Sequence, residues 1–144
     1  MMMVIDADGA IVGRLCAFVS KKALNGEEVV IVNIEKAVIS GNPKVTISKY
    51  VGRREMQNKS DPNRSPSQGW SKRPDKLFKR IMGGMLPKHS KRAKEALQRV
   101  MAHMGTPKEF EGKAKPFGAT SKKLLCDSIS LQEICAHFGW NSKA

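Results

Sequence analysis

Fifteen lysines and arginines lie between Lys49 and Arg99, against four acids in the same stretch, Glu55, Asp61, Asp75 and Glu95. That segment carries +11 of a net charge of +13, while residues 1–48 balance to zero and residues 100–144 add +2. Solvated surfaces mix the two signs, with glutamates among the lysines. So lopsided a stretch generates a focused positive potential that recruits a polyanion, and nucleic acid is the commonest one. Lysine and arginine heads release the counterions condensed on phosphates. Arg53, Arg54, Arg73, Arg80 and Arg92 can each fork onto two phosphate oxygens. The remaining candidate contacts are Lys49, Lys59, Arg64, Lys72, Lys76, Lys79, Lys88 and Lys91. Trp70, beside Lys72 and Arg73, could stack on an unpaired base or simply anchor its loop.

No catalytic constellation accompanies this charge. His89, His103 and His137 have no metal-ligand spacing to one another or to a cysteine pair. Cys126, Cys135 and His137 can be assembled on paper into a metal site, but packing of Cys135 in a helix and exposure of His137 explain them more simply. Gly83-Gly84 lacks the Gly-Lys-Ser/Thr pattern of a phosphate-binding loop and follows a helix, not a strand. Asp6 and Asp8 suit a strand end and a turn better than a carboxylate pair. An RNA-processing enzyme would need clustered carboxylates or a histidine pair near the basic surface, and the four acids there share no repeated spacing. A free regulatory RNA binder has no distinguishing mark.

The elements that must hold the charged segment can be read from periodicity. Met3-Val4-Ile5 is a short apolar run that suits a buried strand, and Asp8-Gly9 is a turn signal. From Arg14 the period becomes helical, with Leu15, Val19 and Ala23 on one stripe, Cys16 and Phe18 at its edges, and Asn25-Gly26 as the stop. Val29-Val30-Ile31-Val32 is wholly β-branched, as in a parallel strand covered on both faces. Together these make a βαβ unit, right-handed by the general rule. Ala37-Val38-Ile39 reads as a third short strand. Lys44 to Val51 is open: Asn42 could cap a helix with Pro43 at its first position, yet Val45, Ile47 and Val51 also alternate. From Gly52 to Pro74 no periodicity survives, and so long a connection is either functional or ordered only on binding.

Pro74-Asp75 opens a helix whose buried stripe is Leu77, Phe78, Ile81 and Met82, ended by Gly83-Gly84. Ser90 can cap another with Ala93, Ala96 and Leu97 on one side, and by period alone it could run to Met104. Residues 105–119 read as loop. Ser130-Leu131-Gln132-Glu133 is a capping box in front of Leu131, Ile134, Cys135 and Phe138.

A chain of 144 residues with 40% hydrophobic and 27% charged side chains is one globular domain, 1–144, with a basic RNA-binding segment 49–99 and a C-terminal extension 106–144. Apolar runs of about five residues are far too short for a membrane span. Met1 to Val4 has no basic start ahead of a long apolar core, so no secretory leader is expected. Three widely spaced cysteines suit buried thiols in a reducing cytosol.

Several stretches, in order, resemble the archaeal and eukaryotic type of the universal large ribosomal subunit protein L-thirteen family. They are Gly13-Arg14-Leu15; Asn25-Gly26-Glu27-Glu28-Val29-Val30-Ile31-Val32-Asn33; Glu35-Lys36-Ala37-Val38-Ile39-Ser40-Gly41; Lys72-Arg73-Pro74; Phe78-Lys79-Arg80; and Gly84-Met85-Leu86-Pro87, the most specific. The resemblance departs at Gly83, where the family usually has a basic residue, at Ala93 for glycine, at Cys16 for alanine and at Trp70 for tyrosine. It implies an α/β fold, three-layer α/β/α with a four-stranded parallel sheet, plus an extended basic loop and a C-terminal helix. It implies that Val100 to Met104 is a strand, against the helical period. It further implies a structural constituent of the large (50S) ribosomal subunit in the cytoplasm, early in assembly. Its partners would be large-subunit (23S) ribosomal RNA and neighbouring ribosomal proteins. No enzymatic activity, cofactor, metal, membrane or small-molecule substrate is expected.

Overall fold

The β-branched run is the centre of the molecule. In the computed structural model, which describes residues 2–56, 70–120 and 125–141, β2 (Glu28–Val32) buries Val29, Val30, Ile31 and Val32 completely. It pairs in parallel with β1 (Met2–Asp6) on one side and β4 (Val100–Ala102) on the other. The join between β1 and β2 carries α1 (Val12–Leu24), so the βαβ unit is present as expected. A two-residue strand, β5 (Lys115–Pro116), extends the sheet beyond β1, giving the order β4-β2-β1-β5.

Alternation assigns the two faces of the sheet. Ile5, Val29, Ile31 and Val100 point into the main core with α1, α3 (Pro74–Gly83) and α4 (Lys91–Gln98). Val4, Val30 and Val32 point the other way, under Phe110 and Ala114. The latter belong to the segment around a 3-10 turn at Lys108–Phe110. The mixed α/β fold, with its four-stranded parallel sheet and five α-helices among the described residues, agrees with the expected α/β/α layering.

Three details differ from the sequence reading. First, β3 (Val38–Ser40) does not join the parallel sheet. It pairs antiparallel with β6 (Ser128–Ser130), and the fourth parallel strand is β5, inside the stretch read as loop. A three-residue strand carries no periodicity that could name its partner. Second, residues 43–55 form one helix, α2 (Pro43–Glu55), which decides the open reading of 44–51 for helix and runs on past Gly52 into the stretch read as aperiodic. Asn42 caps it, its side chain accepting the Lys44 N–H at 3.0 Å, with Pro43 at the first position. Third, the helix from Lys91 stops at Gln98 and Val100–Ala102 is strand, as the family resemblance implied, though two residues shorter.

The C-terminal helix α5 (Leu131–His137) packs on α2, α3 and the 3-10 turn at Ile34–Lys36. The serine half of its capping box forms: the Ser130 side chain accepts the Glu133 N–H at 3.2 Å. At the carboxyl ends of β1 and β2, Asp6 accepts from Asn33 Nδ2 at 2.9 Å and from the Asp8 N–H at 3.1 Å. Asp6 is therefore a strand-end latch. Asn33 takes a left-handed conformation (φ 55°) that asparagine tolerates better than most residues.

Cys16 and Cys135 are buried free thiols, and Cys126 is exposed. Burial pushes both buried thiols from 9.0 up to about 12, with a further push on Cys135 from the Asp75 charge. A raised thiol pKa keeps the folded state protonated while the unfolded chain ionises. The thiol contribution to stability is thus complete below pH 9.0 and is lost as pH rises towards about 12. The expected result is a urea midpoint that falls above pH 9. At about pH 8 a thiol reagent should label Cys126 alone in the native protein and all three cysteines in urea. Equal labelling of all three without urea would contradict this packing.

Candidate nucleic-acid interface

Helix α3 shows how a single element separates core from charge. Leu77, Phe78 and Met82 are fully buried on one side, while Lys76 and Arg80 are exposed on the other. Helix α2 divides in the same way: Thr46 and Tyr50 face inward, one turn apart, and Arg53 follows Tyr50 by one turn. The two helices and the chain entering α3 meet around Trp70.

Trp70 is partly buried and packs against the core. Tyr50 meets it edge-on, with ring centroids 5.8 Å apart. The Arg53 guanidinium lies 5.2 Å from the Trp70 ring centroid and 5.5 Å from that of Tyr50, and the Arg80 guanidinium lies 5.5 Å from Trp70. Arg54 donates to the Trp70 carbonyl oxygen at 3.1 Å and lies over the Phe138 ring of the C-terminal segment at 5.4 Å. Burial raises the Tyr50 pKa, the Arg53 charge opposes that, and Cys16 adds to it, so the phenol stays neutral.

Tyr50, Arg53, Trp70 and Arg80 line a groove of about 710 Å³, with Met56, Ile81, Gly83, Gly84, Met85 and Lys88 as its other walls. Among the described residues no carboxylate or histidine lines it. Arg53, Arg80 and Lys88 have no acidic partner among the described residues. Gly84 caps α3 where a Cβ would stand 3.3 Å from the Ile81 carbonyl oxygen, which explains glycine there. In the motif that follows, Leu86 is buried while Met85 and Pro87 are exposed, so one residue anchors the turn and its neighbours form the rim. Gly13 and Arg14, at the start of α1, line a second depression of about 340 Å³ that shares Tyr50 and Ile81 with the first.

The candidate residues thus divide into groups. Arg53, Trp70, Arg80, Gly84, Met85 and Lys88 come together in the groove, and Gly13 and Arg14 adjoin it. Lys49, Lys72, Lys76 and Lys91 are exposed and Lys79 half-buried, all outside the groove lining. Three arginines have internal partners. Arg73 forks onto Asp75 at 3.0 and 3.2 Å. Arg92 forks onto the Leu24 carbonyl oxygen at 2.9 and 3.3 Å, at the C-terminal end of α1. Arg54 holds Trp70 as described. Lys59 and Arg64 lie outside the described residues. Tyr50, Met56, Ile81 and Gly83 were not among the sequence candidates. Tyr50 becomes visible as a groove residue only once 43–55 is read as a helix, because its spacing to Arg53 then puts both at one end of one face.

Among the described residues no three histidine, cysteine or acidic side chains converge as a metal site would require, and no helix is long and apolar enough to cross a membrane. Comparison with known proteins adds the family. A family model described as Ribosomal protein L13 matches residues 1–109. A curated relative, the large ribosomal subunit protein uL13 of Methanocaldococcus jannaschii, is 39% identical over 138 residues, covering 96% of this chain and 98% of the relative. The protein of the same description from Methanosarcina barkeri is 42% identical over 142 residues, with 96% and 98% covered. That from Thermoplasma acidophilum is 43% identical over 110 residues, with 76% and 77% covered. These relatives are ribosomal structural proteins and not enzymes. With a family model over three quarters of its length and relatives of this identity across nearly all of it, the chain belongs to the ribosomal protein L13 family.

Proposed function

We propose that this chain is a structural constituent of the large ribosomal subunit that binds large-subunit ribosomal RNA through the groove and the cationic faces around it, and that it joins the particle early in assembly. The observation that carries the reading is the groove itself: Arg53 and Arg80 over Trp70, with Lys88 in the same lining and no carboxylate there among the described residues. In a folded protein an unpaired cluster of cations is costly unless a counter-charge arrives, and RNA phosphates supply it. The relatives, by their descriptions large ribosomal subunit proteins, support reading the RNA as that of the large subunit, the neighbours as other ribosomal proteins and the location as the ribosome.

Within this reading Lys49, Lys72, Lys76, Lys79, Lys88 and Lys91 neutralise phosphates, and Arg53 and Arg80 grip them bidentately. Arg73 and Arg92 add to the long-range potential while their forks serve Asp75 and α1. The described groove lining is cationic, aromatic and apolar, which suits holding RNA rather than cutting it.

The test is nitrocellulose filter binding of the full chain to a large-subunit ribosomal RNA transcript across rising potassium chloride, with co-sedimentation on large subunits. Affinity should fall linearly on a log–log plot with a slope of several units, and the chain should travel with large particles and leave them at high salt. Cleavage of the transcript in Mg²⁺, or affinity indifferent to salt, would overturn the reading.

A further inference from the structure

Trp70, partly buried at the groove, is already engaged by four side chains before any ligand arrives. Tyr50 sits on its edge, Arg54 holds its carbonyl oxygen, and the cations of Arg53 and Arg80 lie within 5.5 Å of its ring. Bases stack on an aromatic face that is free, and this ring is already engaged by two guanidiniums. The same two guanidiniums line the groove, together with Lys88. A cation on an aromatic face keeps its N–H groups at the edge of its plane available for hydrogen bonds, so stacking fixes the fork without consuming its donors. Two like charges held against one ring also repel each other, which favours an anion arriving between them.

We propose that Trp70 is a positioning residue and not a base platform. It fixes Arg53 and Arg80 so that both forks face the groove, and the groove grips the phosphodiester backbone of a folded RNA strand without reading its bases. This rests on the RNA-binding reading above and specifies the chemistry that the groove recognises. Tyr50 supports the arrangement as a second ring beneath Arg53. The exposed glycine turn at Gly84 lets a backbone approach α3 closely.

The experiment uses the full chain with Trp140→Phe, which leaves Trp70 as the only tryptophan, and a large-subunit ribosomal RNA transcript as the probe. Trp70→Leu removes no charge. It is nevertheless expected to weaken binding about tenfold and to flatten the salt slope by about one unit, as removal of a phosphate-gripping arginine would. Trp70→Phe, which keeps a ring under the cations, should retain most of the affinity and the slope. In an Arg53→Ala/Arg80→Ala background, Trp70→Leu should add little, because the groups it positions are gone. Emission from Trp70 in the otherwise unaltered chain should change little on saturation with RNA.

Strong quenching of that emission on binding would overturn the proposal in favour of base stacking. So would a Trp70→Leu effect that leaves the slope intact and adds fully to the arginine effects. A Trp70→Leu variant that binds as the parent does would reduce the ring to a loop anchor. The emission measurement needs no substitution at Trp70, so the proposal stays falsifiable even if Trp70→Leu fails to fold. Should the parent chain itself fail to bind the transcript, the RNA-binding reading falls instead.

Discussion

Phe78→Ala is expected to destabilise the protein by about 3–5 kcal/mol, the range for removing a large aromatic from a packed core. Against a typical total of about 5–15 kcal/mol, that leaves little of the folded state at physiological temperature. Phe78 is completely buried and heads the largest enclosed side chains. It sits on α3, which touches α1, α4, α5, β4 and the turn at Ile34–Lys36, so a void beneath it would loosen a helix that five other elements pack against. The surroundings cannot collapse into such a space without moving several backbones at once. Urea unfolding followed by circular dichroism measures the effect. Phe18→Ala is the control: Phe18 is 38% exposed and its ring meets that of Phe117 at 5.6 Å, so its removal should cost about 1 kcal/mol. Equal costs for the two would contradict this core.

Removing both groove forks, with Arg53→Ala/Arg80→Ala, is expected to weaken binding to a large-subunit ribosomal RNA transcript about 100-fold near physiological salt. Two charge-assisted hydrogen-bonding groups at about 1.5 kcal/mol or more each give that figure. The log–log salt slope should fall by about two units, one for each phosphate that is no longer neutralised. Stability should fall by no more than about 2 kcal/mol, since neither arginine has an acidic partner among the described residues and the stacking on rings is worth about 1 kcal/mol each. Arg73→Ala is the discriminating comparison. Its guanidinium is engaged bidentately by Asp75, so it should cost RNA affinity less than either groove arginine. A larger effect from Arg73→Ala than from Arg80→Ala would mean that the exposed flank, and not the groove, meets the RNA.

The residues explain which features were legible in advance. β2 announced itself because four consecutive β-branched residues have no polar face to expose, and all four are buried. The α1 stripe of Leu15, Val19 and Ala23 was equally clear, since each is fully enclosed. Helix α2 was ambiguous for a physical reason. Of its apolar residues Val45 is 66% exposed and Ile47 and Val51 are only partly buried against the core, while a threonine and a tyrosine are the buried positions. The apolar residues there mark no single buried face, so the Asn42 cap and Pro43 were the clearer signals. β5 is two residues long and includes a proline, so nothing local could identify it. Charge density pointed to the interface, but charge alone does not show partners. The Arg73–Asp75 fork and the Arg92 fork on α1 become evident only in three dimensions. Trp70 could be named as important without its role being decided, because that role depends on Arg53 and Arg80, which lie seventeen and ten residues away in the chain.

The antiparallel clip between β3 and β6 ties Val38–Ser40 to Ser128–Ser130, and the helix that follows reaches Arg54 through Phe138. Synthesis is vectorial, and chains fold as they emerge. The β1–α1–β2 unit can close early, but the contact that braces Arg54 behind Trp70 must wait until Phe138 has been made. A nascent chain therefore presents the cations of residues 49–99 before that brace is in place.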